Sequence, residues 1–320
     1  MKKVCVVGAG RWGINHIKTL NGLNALGGIV ESDNMVLDSL NTAYPNIPCF
    51  KNIEDALRED FDGYTVATPA PTHFSIARQI IETEKHVLIE KPITLISGEA
   101  QKLADLAKEK NVNLMVGHVL LFHPAFTKIK SLLEDGLLGD LQYMYSNRLN
   151  LGTIRSEENV FWSFAPHDIA LFQYFTNSFP NKITSRGVDT LQAGIHDTTI
   201  TSLEYPNHIM GHIFVSWLHP FKEHRFVIVG SKGMIRFEDS AEGKPLIFYD
   251  KSVDWKDKIP TPRIGPTNYI DYDSLMPLTE ELKYFVDHLD GSPITICDSQ
   301  SAVEVMKILE TATESLTEGD

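Results

Sequence analysis

Val4-Cys5-Val6-Val7-Gly8-Ala9-Gly10-Arg11-Trp12-Gly13 stands at the head of the chain. The run Lys2–Val7 reads as a strand buried on both faces. A helical pattern follows from about Trp12 to Leu23, with Ile14, Ile17 and Leu20 on one stripe. Between strand and helix each glycine has a mechanical reason: a tight turn, close approach of backbone to a pyrophosphate, and close helix–strand packing. Free N–H groups and the dipole at the helix start then hold phosphate oxygens. Glu31 closes the next strand-like run about 20 residues on, where a carboxylate accepts hydrogen bonds from adenosine ribose hydroxyls and repels a 2′-phosphate. These features point to a dinucleotide, NAD before NADP, on Gly8, Gly10, Arg11, Trp12, Gly13 and Glu31. Ser32, beside the acid, is a hydroxyl that tolerates a phosphate and keeps NADP in view.

Outward from this turn the pattern repeats. Strand-like runs recur at Ala25–Val30, Gly63–Ala67, His86–Ile89 and Asn113–Val116, with helical patterns at about Ile53–Glu59, Thr72–Glu84 and Ser97–Lys110. Strand and helix in alternation mean a doubly wound parallel sheet covered by helices. After about residue 120 the rhythm changes to longer runs of period-two character, Leu141–Leu149, Ile183–Asp189, Thr198–Tyr205, Ile209–Trp217, Phe226–Gly230, Met234–Phe237 and Leu246–Tyr249. They predict a large, mostly antiparallel open sheet. Helices are expected at Pro124–Leu133, His167–Thr176, Leu278–Leu289 and Asp298–Leu316, and Lys251–Asn268, with three prolines, as a surface loop. The reading is α/β: a Rossmann domain over 1–120 and an α+β substrate-binding and oligomerisation domain over 121–320. Apolar residues on both faces of Ile209–Trp217 suit a sheet that pairs with another subunit, in a homodimer or homotetramer.

The composition narrows the function. Across 320 residues, 42% are hydrophobic and 22% charged, which is ordinary for a globular protein. A formal charge of −13 argues against a nucleic-acid partner, because phosphate backbones demand clustered cations. No apolar run approaches the roughly 20 residues that cross a bilayer, and the apolar start is too short for a signal peptide. Cys5, Cys49 and Cys297 are odd in number and far apart, which suits a reducing compartment and builds neither a disulfide framework nor a metal site. The expectation is a cytoplasmic protein with no membrane partner.

Ala67-Thr68-Pro69-Ala70-Pro71-Thr72-His73 and Glu90-Lys91-Pro92 end two strands of the predicted parallel sheet, at the carboxyl edge where such folds bind ligands. With the glycine turn, in this order and spacing, they resemble the glucose–fructose oxidoreductase, inositol dehydrogenase and rhizopine-catabolism (Gfo/Idh/MocA) family over essentially the whole chain. The resemblance implies that Lys91 is catalytic, that Thr68, Pro69 and His73 border the cofactor, and that Glu90 touches the nicotinamide ribose. It further implies a histidine at the start of a helix in the second domain. Phe161-Trp162-Ser163-Phe164-Ala165-Pro166-His167-Asp168 places His167 there, with Trp162 toward the cofactor, but Ser163 stands where the family usually has aspartate.

The stretches Gly117–Ala125 and Ser216–Lys222 look more like the branch that oxidises nucleotide-linked amino sugars such as UDP-N-acetylglucosamine, or its uronate, at the 3-hydroxyl. On that reading His118 and Arg148 meet the sugar nucleotide, and Arg155, Lys222 and Arg225 are further cations for its phosphates. The hydroxyl proton must leave as hydride departs. A histidine with an ordinary pKa of about 6.5 suits that task near neutral pH, and Lys91 would stabilise the developing alkoxide. The opposite division, Lys91 as base, is the alternative. The rival functions are a cyclitol or simple-sugar dehydrogenase, a glycosidase that uses NAD for transient oxidation, and a non-catalytic NAD(H)-responsive binding protein.

Overall fold

The computed structural model describes residues 2–317. Its chain divides into two compact units, one running to Phe122 and regaining Leu275–Met306, the other His123–Ser274 with the chain from Lys307. The first unit holds six parallel strands, β1 (Val4–Val7), β2 (Leu26–Val30), β3 (Cys49–Phe50), β4 (Gly63–Val66), β5 (His86–Glu90) and β6 (Leu114–Gly117), in the order β3-β2-β1-β4-β5-β6. Every residue of β1, β4 and β6 is buried, which is why those stretches are apolar without alternation. The helices α1 (Gly13–Gly22), α2 (Asn34–Ala43), α3 (Ile53–Ala56), α4 (His73–Glu82) and α5 (Ser97–Glu109) connect them. Strand order reverses between β1 and β4, and the glycine turn after β1 lies at that switch point, where doubly wound sheets bind ligands.

In the second unit eight strands, β7 (Leu141–Leu149), β8 (Lys182–Val188), β9 (Thr198–Glu204), β10 (Met210–Ser216), β11 (Glu223–Gly230), β12 (Met234–Glu238), β13 (Leu246–Lys256) and β14 (Ile259–Tyr269), form a sheet ordered β14-β13-β12-β11-β7-β10-β9-β8. Only β7 and β10 pair in parallel. The helices α6 (Pro124–Glu134), α7 (Val160–Phe164) and α8 (Pro166–Thr176) belong to this unit. Phe126 of α6 and Phe172 and Phe175 of α8 interlock with Phe226 and Phe237 on one face of the sheet, Phe126 and Phe172 meeting them edge to face and Phe175 tilted against Phe226. The chain ends in α9 (Pro277–Asp287) and α10 (Ser299–Thr317), the latter capped by Asp298, whose carboxylate accepts the Ser301 N–H at 2.8 Å.

Two features depart from the expectations above. The second domain does not run unbroken from 121 to 320, because α9 buries Leu282 and Phe285 against α1 and the Val119–Phe122 turn. The segment after it docks on β6, where Val116 N–H donates to the Cys297 carbonyl at 2.9 Å. The stretch read as a loop, Lys251–Asn268, is most of a long hairpin. Its turn is Asp257-Lys258 with φ +50° and +65°, the left-handed pair of a type I′ turn. Prolines mislead here because β14 is an edge strand, where a missing N–H costs no ladder bond.

Candidate active site

The cleft at the switch point opens at the glycine turn after β1. Gly8 has φ +93°, and a side chain there would strike Thr68 Cγ2 at 2.8 Å. At Gly13 a Cβ would lie 2.0 Å from the Gly8 carbonyl oxygen, so only glycine lets the helix start against the strand end. Gly10 has open space beside it. No side chain caps α1 and no acidic residue occupies its first turn, which leaves the helix start to an anion. Glu31 ties this turn down: one carboxylate oxygen accepts the Ala9 N–H at 2.8 Å and the other the Asp33 N–H at 2.9 Å. A cleft of about 650 Å³ is walled by Gly8, Gly10, Glu31, Ser32, Thr68 and Pro69, within the range of cofactor sites. These residues fit a dinucleotide. Lys51, after β3, also lines the cleft; the sequence reading passed over it because a lysine following a two-residue strand carries no signal.

At the ends of β4 and β5 the Thr-Pro and Glu-Lys-Pro loops are held together. The Thr72 hydroxyl donates to the Pro69 carbonyl at 2.8 Å and lies 2.7 Å from the Thr68 hydroxyl. His73 is 1% exposed, with Nδ1 2.8 Å from the Pro92 carbonyl oxygen and Nε2 2.8 Å from that of Thr68. It is a strut between the two loops. Glu90 Oε1 accepts the Trp12 indole N–H and lies 2.8 Å from His16 Nε2. Its carboxylate rests on Gly117, where a Cβ would come within 3.0 Å of it. His16, one helical turn after Trp12, was missed; its spacing on α1 was the available signal.

Behind Glu90 lies Glu281 of α9, wholly buried, and no hydrogen bond reaches either of its oxygens among the described residues. Burial, then the charge of Glu90, raises its pKa well above the carboxylate range. His118, expected to touch substrate, is 3% exposed. Burial first and the Lys91 ammonium second lower its pKa to about 3. The structure thus makes His118 an enclosed, neutral neighbour of Lys91.

In the second unit Asn159 caps α7 through the Trp162 N–H at 3.0 Å, and the Trp162 indole N–H donates to the Thr313 hydroxyl at 2.8 Å. That nitrogen is spent inside the protein, and Trp162 offers a ligand only its ring. His167 sits in the first turn of α8, partly exposed. Its neighbour Asp168 is fully buried and accepts from Arg148 Nε at 2.5 Å and from the Ser146 hydroxyl at 2.6 Å. Arg148 is therefore held rigidly with one edge of its guanidinium engaged. Opposite it on β11, His224 is driven down to about 4 by burial and then by the charges of Arg148 and Lys222. Of the other cations considered, Arg225 is occupied by Glu223 and Glu238, and Arg155 lies 3.9 Å from Glu158 on the surface. No helix among the described residues is long and apolar enough to cross a membrane, and no three His, Cys, Asp or Glu among them are grouped to hold a metal ion.

Residues 2–118 match the oxidoreductase family with an NAD-binding Rossmann fold, and residues 126–236 match the GFO/IDH/MocA C-terminal domain. UDP-N-acetylglucosamine 3-dehydrogenase of Acidithiobacillus ferrooxidans is 29% identical over 189 residues, 57% of each chain. Its solved structure aligns with a TM-score of 0.86 at 21% identity, covering 99% of this chain and 97% of that one. The WlbA dehydrogenase of Bordetella pertussis, solved with NADH and UDP-GlcNAcA, aligns with a TM-score of 0.80 at 18% identity over 100% and 98% of the two chains. Inositol 2-dehydrogenase of Corynebacterium glutamicum is 28% identical over 144 residues, 43% of each chain. With both family domains present in order over more than half its length, the chain belongs to the GFO/IDH/MocA oxidoreductases.

Proposed function

We propose that the chain is an NAD-dependent dehydrogenase that oxidises a secondary hydroxyl, at C3, of a nucleotide-linked amino sugar such as UDP-N-acetylglucosamine. The observation that carries the cofactor half is the glycine turn locked to the Glu31 carboxylate, whose negative charge repels a 2′-phosphate and favours NAD over NADP. The likeness to a UDP-N-acetylglucosamine 3-dehydrogenase supports the substrate half. When bound, the dinucleotide supplies the hydride acceptor. Gly8, Gly10, Arg11, Trp12 and Gly13 hold its phosphates, Glu31 its adenosine ribose, and Thr68, Pro69 and Glu90 its nicotinamide end.

The remaining chemistry belongs to side chains. His167 takes the hydroxyl proton, and Lys91 donates to the same oxygen and stabilises its developing negative charge. His118, neutral beside Lys91, adds no second cation there. In the reverse assignment Lys91 is the base. Arg148, with Nε fixed by Asp168, presents its outer nitrogens to a phosphate oxygen. The enzyme works in the cytoplasm as a homo-oligomer assembled through the second unit's sheet.

The test is turnover of UDP-N-acetylglucosamine with NAD, followed by NADH absorbance and mass detection of the keto sugar, against myo-inositol as competitor substrate. Turnover of inositol alone would move the chain to the cyclitol enzymes. Release of free sugar without net NADH would identify a glycosidase, and dinucleotide binding without any turnover a sensor. Lys91→Met is expected to lower kcat at least 100-fold; full turnover in that variant refutes the mechanism in either assignment.

A further inference from the structure

We propose that Glu281 and Glu90 act as one buried proton-binding pair, which takes up a proton when the nicotinamide in front of it loses its positive charge. This deepens the NAD-dependent reading above and rests on it. Glu281, Leu282 and Phe285 are the buried residues of α9. Leu282 and Phe285 gain by burial, whereas a carboxyl group is penalised there unless it is hydrogen-bonded or protonated. Glu281 is 0% exposed, and neither of its oxygens has a hydrogen-bond partner among the described residues. A methionine would fill a similar space without that penalty. Burial first and the charge of Glu90 second disfavour the ionised form of Glu281, so the two carboxyl groups feel each other.

Few other groups that carry charge stand around the pair. Trp12 donates its indole N–H to Glu90 Oε1, and His16 Nε2 lies 2.8 Å from the same oxygen. His16 Nδ1 is buried and has no hydrogen-bond partner among the described residues. Cys297, just before α10, is pushed up by burial and then by Glu281, so it stays a thiol. Its Sγ lies 3.8 Å from the His118 carbonyl oxygen. The His118 ring, with a pKa of about 3 beside Lys91, stays neutral. Glu90, Glu281, His16 and Lys91 are therefore the groups to be told apart.

On the reading above, strand order brings the ring to this pair. With pyrophosphate on the turn after β1 and the adenosine ribose at Glu31 after β2, a dinucleotide crossing the sheet edge lays its other half over the ends of β4 and β5. Those ends carry Thr68-Pro69 and Glu90, and the Glu90 side chain keeps 12% exposure toward solvent. The oxidised ring carries one positive charge, which favours two ionised carboxyl groups behind it. The reduced ring is neutral, and the same two carboxylates then repel each other where water screens them poorly. One proton from bulk water relieves the repulsion; only an O–H bond forms, and nothing is oxidised or reduced in that step. By linkage the NADH complex holds up to one proton more than the NAD⁺ complex, so the preference for NADH over NAD⁺ rises as pH falls.

The test is the ratio of NADH to NAD⁺ affinity of the full chain, measured by calorimetry from about pH 9 to about pH 6 in buffers of different ionisation enthalpy. The wild-type ratio is expected to rise at least about fivefold toward low pH, within the limit of about tenfold per pH unit that one proton sets, with the extra proton taken up on NADH binding. Glu281→Gln should flatten the ratio, and Lys91→Met should leave the rise in place. If Glu281 is merely structural, its loss weakens both dinucleotides together and keeps the slope, which overturns the proposal; a rise that disappears in Lys91→Met does so too. The infrared difference between the NADH and NAD⁺ complexes should show a carboxylic acid C=O band gained in the wild type, a signature that neither His16 nor Lys91 can give. Absence of that band overturns the pair, and this wild-type measurement decides the matter even where Glu281→Gln does not fold. A flat wild-type ratio with both dinucleotides bound overturns the pair and leaves the dehydrogenase reading standing, whereas failure to bind either dinucleotide overturns both.

Discussion

A neutral imidazole enclosed beside a lysine makes the first unit acid-labile by an amount that can be worked out. His118 has a folded pKa of about 3, depressed by burial and then by Lys91, against about 6.5 in the unfolded chain. Between those values the unfolded chain binds a proton that the folded one refuses. The contribution is complete above pH 6.5 and is lost as pH falls toward 3, at about 1.4 kcal/mol per pH unit. By about pH 4.5 the loss is roughly 3 kcal/mol, a large part of the 5–15 kcal/mol that a typical protein has. The perturbation is His118→Gln, which keeps a polar side chain of similar size and cannot titrate. Hydrogen exchange read by mass spectrometry on the β5 and β6 peptides, corrected for the intrinsic pH dependence of exchange, reports on this unit alone. Wild-type protection should fall by about 3 kcal/mol more than that of His118→Gln between about pH 7 and pH 4.5. Equal falls would refute the reasoning, since His118 would then be taking up its proton in the folded state as readily as in the unfolded one.

Other consequences can be measured directly. Glu31→Gln replaces one acceptor with a donor opposite a backbone N–H and should weaken NAD binding by about 1.5–3 kcal/mol while narrowing the preference over NADP, both read by calorimetry; unchanged affinity for both dinucleotides would remove Glu31 from the site. Asp168→Ala leaves Arg148 and Ser146 without their buried partner and should cost the second unit about 3–5 kcal/mol in urea unfolding, with Asp168→Asn milder. A loss below 1 kcal/mol would mean that water replaces the carboxylate at little cost.

Much of the parallel half was legible because both faces of its strands are covered, which forces continuous apolar runs onto the sequence, as in Val4–Val7. The helix α2 was not foreseen: Leu40 alone is buried along it, so its apolar stripe is thin, and its strongest mark is the Asp33 cap, which accepts the Met35 and Val36 N–H groups. The periodicity of Leu278–Leu289 predicts a helix, but periodicity states that a face is buried and not against what. That α9 returns to α1 depends on contacts some 260 residues apart in sequence. The hairpin around Asp257-Lys258 was lost to a rule that treats proline as loop chemistry, which holds for central strands and fails at an edge.

Site residues divide along the same line, since the sequence states which group is present but not what it faces. His73 and Glu31 both looked like ligand contacts; each is tied into the scaffold, His73 with both nitrogens and Glu31 with both oxygens. Only Glu31 also lines the cleft, because a carboxylate oxygen has a second lone pair after accepting one N–H and a bonded imidazole nitrogen has nothing left to offer. The same accounting separates the two carboxyl groups next to Lys91. Glu90 has the Trp12 indole and His16 as partners, whereas Glu281, brought from the far end of the chain, has no hydrogen bond among the described residues. A buried carboxyl group without donors is poorly solvated in its charged form, so burial and then the neighbouring Glu90 raise the Glu281 pKa well above the carboxylate range. The Glu90 carboxyl group that precedes Lys91 is thus held in place from α1 by Trp12 and His16.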